Sequence, residues 1–411
     1  MQNISKECCG CGACATICPK GCISMKVNRR GFLEPVIDKT HCIKCGACER
    51  VCPLLKHSSV SLNADTIEAY AAVSASHDDV TCSSSGGAFS VIARHVISKG
   101  GIVYGAVWTD DYASAFHKEV ETIEQLKLLR GSKYIQSDTR DTYKKALLNL
   151  KSGRLVLFSG TPCQIKALLS YVGRKLRKNL ITVDVACYGA PSGKIWRAYW
   201  SWLKKKLSVE DVKGFSMTTT TDTPLFGTLT KTMVVDKLGG GNYMDSFYFT
   251  LYGRAFLSGL ILNPACANCP AKNFTSGSDL TIGDFWNVGE LECGLDVQNG
   301  VSVILAKTEQ GKSLISELSS TENWEHFIPS PVEIAIKKNH GLYVSDDEKR
   351  LFFNAEFWEE IENADSHQAV MCCLRKHAPA RSGEWKLKVK RILYDFGVLG
   401  KIQKIKKLIR K

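Results

Sequence analysis

Cys8-Cys9-Gly10-Cys11-Gly12-Ala13-Cys14-Ala15-Thr16-Ile17-Cys18-Pro19 and Cys42-Ile43-Lys44-Cys45-Gly46-Ala47-Cys48-Glu49-Arg50-Val51-Cys52-Pro53 carry one cysteine pattern twice, C-x2-C-x2-C-x3-C-P. The first three cysteines of each run are close enough to wrap one inorganic centre in a tight turn. The fourth points away as a helical turn begins, and Pro19 and Pro53 set the chain direction after it. Eight thiolates are thus available in two matching sets.

This is the run of two-cluster bacterial ferredoxins, whose fourth cysteine ligates the other cluster. Crossed ligation predicts one 4Fe-4S cluster on Cys8, Cys11, Cys14 and Cys52, and another on Cys42, Cys45, Cys48 and Cys18. A pair of zinc knuckles is the alternative, since C-x2-C is also a zinc spacing. Zinc does not need four cysteines at this interval twice over. Between the copies, Ile23, Met25, Val27 and Phe32 alternate with polar residues around Asn28-Arg29-Arg30-Gly31. That predicts a hairpin from Ile23 to Asp38 with Gly31 in the turn, shielding the clusters.

The chain has 411 residues, enough for two or three domains and a sizeable core. Its 18 cysteines would suggest disulfides in a short secreted protein. The start, MQNISKECCGCG, lacks a basic region followed by an apolar stretch, so no signal peptide is expected. No apolar run is long enough to span a membrane. Low-potential clusters fit a reducing interior, so the expected setting is cytoplasmic. The formal charge is +13. From Trp385 onward, ten Lys and Arg face the single acid Asp395, so nine of those charges belong to the tail. The body is close to balanced.

Four segments are expected: a ferredoxin-type module (1–55), a polar linker (56–66), a main domain (67–380) and a basic tail (381–411). The main domain reads as α/β, with a mixed, mostly parallel sheet. Glu68 to Ser74 and Gly101 to Trp108 are strands, with a helix from Ala88 to Lys99 between them. Two strand–loop–helix units follow: Arg154 to Ser159 running into Gly160-Thr161-Pro162-Cys163, and Leu180 to Ala186 running into Cys187-Tyr188-Gly189-Ala190-Pro191-Ser192. Apolar strands alternating with helices argue for a sheet covered on both faces. From about Val209 the chain becomes β-rich; Val301 to Ala306 is a further strand, and Trp324 to Ala380 is helical and mixed.

Cys163 and Cys187 occupy equivalent loops just past the carboxyl ends of parallel strands, where ligand crevices lie. Cys266 and Cys269 form another C-x2-C pair, before Pro270. Together they would complete one more tetrathiolate site; zinc, or plain packing by small buried cysteines, are the alternatives. The loop Ser83 to Gly87 opens onto a helix and suits a phosphate, or simply caps that helix. Arg130-Gly131-Ser132-Lys133-Tyr134-Ile135-Gln136-Ser137 offers cations, an aromatic ring and hydroxyls for a flavin pyrophosphate, or is a solvated loop. Asp279 and Asp284, with Thr281, are turn residues or acid/base groups. Of the other cysteines, Cys9 and Cys22 read as packing residues beside ligands, Cys372 and Cys373 as helix interior, Cys82 as structural or near the flavin, and Cys293 as a spare ligand.

The ordered set TCSSSGGAFS, RGSKYIQS, SGTPCQIKALL, CYGAPS, CANCP and DLTIGDFW, behind a two-cluster ferredoxin module, resembles the beta subunits of coenzyme F420 hydrogenase and dehydrogenase. The resemblance covers roughly residues 1–310. It implies FAD beside a third 4Fe-4S cluster, with Cys163, Cys187, Cys266 and Cys269 as ligands. It implies FAD contacts at Ser84, Ser85, Gly86, Gly87, Ser132, Lys133, Tyr134, Gln136 and Thr161, with Asp284 and Lys133 as candidate catalytic groups. Ferredoxin or another redox protein would be the electron donor or acceptor. The substrate would be a small molecule or a lipid-linked one; some bacterial members are linked with polysaccharide biosynthesis.

In the tail, Leu399, Ile402, Ile405 and Ile409 fall three or four apart with lysines between them, a basic amphipathic helix. It suits peripheral contact with an anionic membrane at the inner face, or a docking partner. Nucleic acid is excluded as a partner, because the charge does not line a groove interleaved with aromatic residues. The expected function is an iron–sulfur flavoprotein oxidoreductase; the alternative is a non-catalytic electron-transfer subunit of a larger complex.

Overall fold

The computed structural model describes residues 8–55, 66–219, 231–295, 300–344 and 353–380. The linker over 56–65 and the basic tail over 381–411 lie outside the described residues. The strands are β1 (Ile23–Val27), β2 (Leu33–Ile37), β3 (Glu68–Ser74), β4 (Ile102–Trp108), β5 (Ala115–Val120), β6 (Ser137–Asp138) and β7 (Val156–Gly160). They continue with β8 (Leu180–Val185), β9 (Val212–Thr219), β10 (Thr232–Lys237), β11 (Asn242–Ser246), β12 (Leu280–Asp284), β13 (Ser302–Ala306) and β14 (Trp324–Ser330).

In the amino-terminal module the doubled cysteine run becomes a doubled backbone. The helices Ala13–Ile17 and Ala47–Val51 are each preceded by a left-handed glycine, Gly12 or Gly46, and followed by an extended fourth cysteine, Cys18 or Cys52. Strands β1 and β2 form the hairpin between them, with Ile23 opposite Ile37.

The main sheet has nine strands in the order β14-β3-β13-β12-β8-β7-β4-β5-β6. Strands β12, β8, β7 and β4 are parallel neighbours and form its centre. The expected parallel sheet is this centre. Beyond it, β13, β3 and β14 run antiparallel on one flank, and β5 pairs antiparallel with β4 on the other. Successive side chains of a strand face opposite ways, which is why Val103 and Tyr104, or Leu157 and Phe158, enter different cores. One face is covered by the helices Ala88–Ser98 and Glu309–Ser319 through Val91, Ile92, Leu314 and Ile315. The other is covered by Thr142–Lys151 and Pro162–Val172, and there Cys11 and Ala13 of the ferredoxin module join the same core.

A separate aromatic core holds the rest together. Trp196 and Trp200, stacked at 5.9 Å on the helix Gly193–Leu207, meet Phe215 of β9 and, for Trp196, Tyr252. Strands β9, β10 and β11 form a small antiparallel sheet over this core. Among the described residues no helix is long and apolar enough to cross a membrane.

Candidate functional site

The eight ferredoxin-type cysteines gather at two places. Cys14 lies against Cys8 and Cys52, and Cys11 lies against Cys14. Burial first, and neighbouring thiols after it, push Cys14 up to about 12. Cys8 stands at about 11 for the same leading reason, although the Gly10 N–H, 3.3 Å from its sulfur, pulls the other way. Cys18 and Cys42 meet around Cys22, while Cys48 faces Cys45, which is exposed. One group is therefore interior and the other lies at the surface.

The interior group touches a third set. Cys163 is the second residue of the helix that follows β7, and Cys187 comes two residues after β8. Because β7 and β8 are parallel, both loops leave the sheet on one side. Cys266 closes the short helix Pro264–Cys266, and its thiol faces Cys187, Cys269 and Cys163. Cys187 faces Cys163 and Cys269 as well. Burial drives Cys187 up to about 12, against the pull of Lys272. Thiols packed this way cannot stand as a set of thiolates unless a cation compensates them. The Ala190 N–H reaches the Cys266 sulfur at 3.4 Å, and Lys166 lies beside Cys269. Four sulfurs, an amide donor and two lysines fit a metal or iron–sulfur centre better than an apolar core. Cys293 instead packs on the apolar cluster beneath β3 and β13.

Cys9 bridges the interior groups, its thiol contacting both Cys11 and Cys163. Cys8 and Cys11 also face Cys163. Polar side chains clamp this junction through the backbone: Gln136 Nε2 donates to the Cys9 carbonyl at 3.2 Å, Asn263 Nδ2 to Cys8 at 3.0 Å, and Thr139 Oγ1 to Cys11 at 2.9 Å. Gln136 also accepts the Leu33 N–H at 2.7 Å, and Thr161 Oγ1 lies 3.2 Å from the Cys163 sulfur. Both residues are thus placed at the cysteine junction, apart from the other expected flavin contacts.

Those others form a second polar region, between the ends of the main sheet and the small sheet. Ser84 Oγ lies 2.7 Å from Thr218 Oγ1 and accepts the Ser132 N–H at 2.8 Å. Lys231 donates to the Ser84 carbonyl and, at 2.8 Å, to Asp284 at the end of β12. The Tyr134 ring stacks on Phe247 at 5.1 Å and meets Phe256 at 4.7 Å. Burial, followed by the Asp284 charge, pushes its hydroxyl up to about 12, and Tyr248 faces the same carboxylate. A half-buried ammonium–carboxylate pair beside two tyrosines suits the polar edge and flat face of a heteroaromatic ring such as a flavin.

The glycine loop packs closely on its own chain. A Cβ on Gly86 would lie 2.4 Å from the Ala72 carbonyl and 2.8 Å from the Ser302 nitrogen, and Ser85 Oγ donates to Val301 at 2.9 Å. Lys133 donates to the carbonyls of Leu129, Arg130 and Gly131, and burial draws its ammonium down to about 7. Asp279 is buried in the Thr182–Thr308 network, away from Asp284. Lys231, Thr218 and Tyr248 escaped sequence reasoning: they come from the β9–β11 region and carry no motif spacing.

An α/β sheet with a doubled C-x2-C-x2-C-x3-C-P module docked on it defines an iron–sulfur redox protein. Residues 7–54 match the 4Fe-4S dicluster domain, and residues 153–326 match the family described as the C terminus of the coenzyme F420 hydrogenase/dehydrogenase beta subunit. The chain thus carries a dicluster domain followed by a segment similar to the C terminus of that beta subunit. Among solved structures, a chain of the F420-reducing [NiFe] hydrogenase complex from Methanosarcina barkeri is similar at 16% identity, over 76% of this chain and 90% of that one, with a TM-score of 0.44. No curated protein matches.

Proposed function

We propose that this chain is an oxidoreductase in which electrons travel along a fixed line of thiolate sites to a flavin. The line runs from Cys18, Cys42, Cys48 and the exposed Cys45, through Cys8, Cys11, Cys14 and Cys52, to Cys163, Cys187, Cys266 and Cys269. It ends where Lys231, Asp284, Tyr134 and Tyr248 would hold the ring of FAD. The contact of Cys9 with Cys163, with the charges of Cys8 and Cys11 within reach of the same thiol, carries this reading, because it joins the ferredoxin module to the interior of the sheet. A redox protein such as ferredoxin exchanges electrons at the exposed end.

When bound, a flavin supplies the exchange between two-electron and one-electron chemistry. The residues orient it: Tyr134 and Tyr248 offer ring faces and hydroxyls, Asp284 accepts a hydrogen bond, and Lys231 keeps a positive charge near the reacting edge. The Lys231–Asp284 pair is also suited to moving a proton to a small-molecule or lipid-linked substrate, including one used in polysaccharide assembly. Thr161 and Gln136 position the thiolate junction.

Anaerobic purification with iron, sulfide and flavin counted per chain tests the reading, on the native protein and on Cys187→Ala. About twelve irons and one FAD, falling by about four irons in the variant, are expected. About eight irons in both, with no flavin, would overturn it.

A further inference from the structure

The two copies of the cysteine run differ just past their last ligand. Four residues beyond Cys18 the first copy has Cys22; four beyond Cys52 the second has Lys56. The intervening turn is tight: the Gly21 N–H donates to the Cys18 carbonyl at 3.1 Å, with Gly21 at φ 60°. It returns the chain so that Cys22 Sγ lies 3.4 Å from Cys18 Sγ. The Cys22 thiol meets Cys42 as well. Its backbone is fixed separately from the Cys18 turn, since the Cys22 carbonyl accepts the Asp38 N–H at 2.8 Å at the base of the hairpin. The residue is 8% exposed, turned toward sulfur and away from water.

Cys22 is therefore a fifth thiol beside the centre for which crossed ligation uses four, Cys18, Cys42, Cys45 and Cys48. We propose that Cys22 is a reserve ligand of this site and takes the fourth iron when Cys18 leaves it. In the exchange the bond between iron and the Cys18 sulfur breaks and one to the Cys22 sulfur forms. The proton lost by Cys22 goes to the released Cys18 thiolate, so the charge and oxidation state of the centre are unchanged. The reserve stands at the outer centre, whose Cys45 is exposed and which meets solvent-borne oxidants first. The inner centre has no thiol in the matching position.

Iron and sulfide per chain, with the electron paramagnetic resonance spectrum of the dithionite-reduced protein, test this on the full chain purified anaerobically. Cys22→Ala should keep the native iron content and spectrum. Cys18→Ala should also keep the iron, with a shifted spectrum. The double variant should lose about four irons, and Cys52→Ala, with Lys56 in place of a thiol four residues on, about four as well. The proposal is overturned if Cys18→Ala loses as much iron as the double variant, or if Cys22→Ala alone loses about four. Cys18→Ser with the same readings serves where Cys18→Ala is poorly recovered. If neither is recovered folded the proposal also fails, since a working reserve ligand would have held the module together. Retention in Cys18→Ala does not depend on the third thiolate set or on a flavin, so it is read separately from them.

Discussion

His117 shows how strongly single side chains are committed in this protein. It lies on β5 at 2% exposure, with Nε2 3.1 Å from the Ser159 carbonyl and Nδ1 3.3 Å from Ser137 Oγ. Burial lowers its pKa from 6.5 to about 4. Between those values the unfolded chain binds a proton that the folded chain refuses, so stability is lost as pH falls through the window. His117→Asn should flatten the pH dependence by about 2 kcal/mol between pH 7 and pH 5, measured by urea unfolding of both forms. A variant with the native slope would assign the acid sensitivity to other groups. Lys272 makes a second residue-scale case, donating to carbonyls at His340 and Gly341 beside the Cys187 thiol. If the proposed centre on Cys163, Cys187, Cys266 and Cys269 forms, removing this charge in Lys272→Met should lower its midpoint potential, on the order of the 59 mV of a tenfold one-electron shift. Potentiometric titration with unchanged iron content checks it.

At the scale of elements, the amino-terminal hairpin acts as a key in a slot. Gly31, at φ 90°, presses its α-carbon on the start of the helix Gly193–Leu207: an added Cβ would meet Lys194 N at 2.5 Å and Ser192 Oγ at 2.6 Å. The Gly193 N–H donates to the Gly31 carbonyl at 3.1 Å. Gly31→Ala should therefore destabilise by at least about 2 kcal/mol, through the left-handed backbone and the clash together. Hydrogen exchange should rise in β1 and β2 while β7 and β8 stay protected; uniform protection would show that the hairpin is not seated through this contact. Elements with strong local periodicity were legible from residues alone. The hairpin follows from its alternation, and β7 and β8 follow from their apolar runs before small-residue loops. The antiparallel flank was not, because β12 and β13 pair across the excursion from Phe285 to Val301, too long for any turn signal. The close packing of the Ser83–Gly87 loop was not legible for a related reason. Its glycines are demanded by β3 and β13 backbones distant in sequence, and local spacing does not distinguish that demand from a phosphate's.

Across the whole molecule the thiol sites are graded from surface to interior. Near Cys45, Ile43 is 57% exposed, an apolar side chain beside the outermost centre. Ile43→Asp should raise the KM for reduced ferredoxin several-fold while iron content and reduction by dithionite stay native, as measured by stopped-flow absorbance. Equal kinetics would place electron entry elsewhere. The doubled cysteine run was readable because its ligands are local. The junction with Cys163 was not, because it depends on how Gln136, Thr139 and Asn263 seat one module on another.

That seating also dictates how the protein must be made. Cys11 is 7% exposed and Cys52 8%, where the ferredoxin module meets the sheet, while Cys163, Cys187 and Cys266 are half-buried. Delivery of iron and sulfide needs open access to the acceptor thiols, so a centre on Cys11 and Cys52 would have to be filled before the module closes onto the sheet. Maturation thus has a direction, from the inside outward, with the surface centre the last to be inserted and the first that can be repaired.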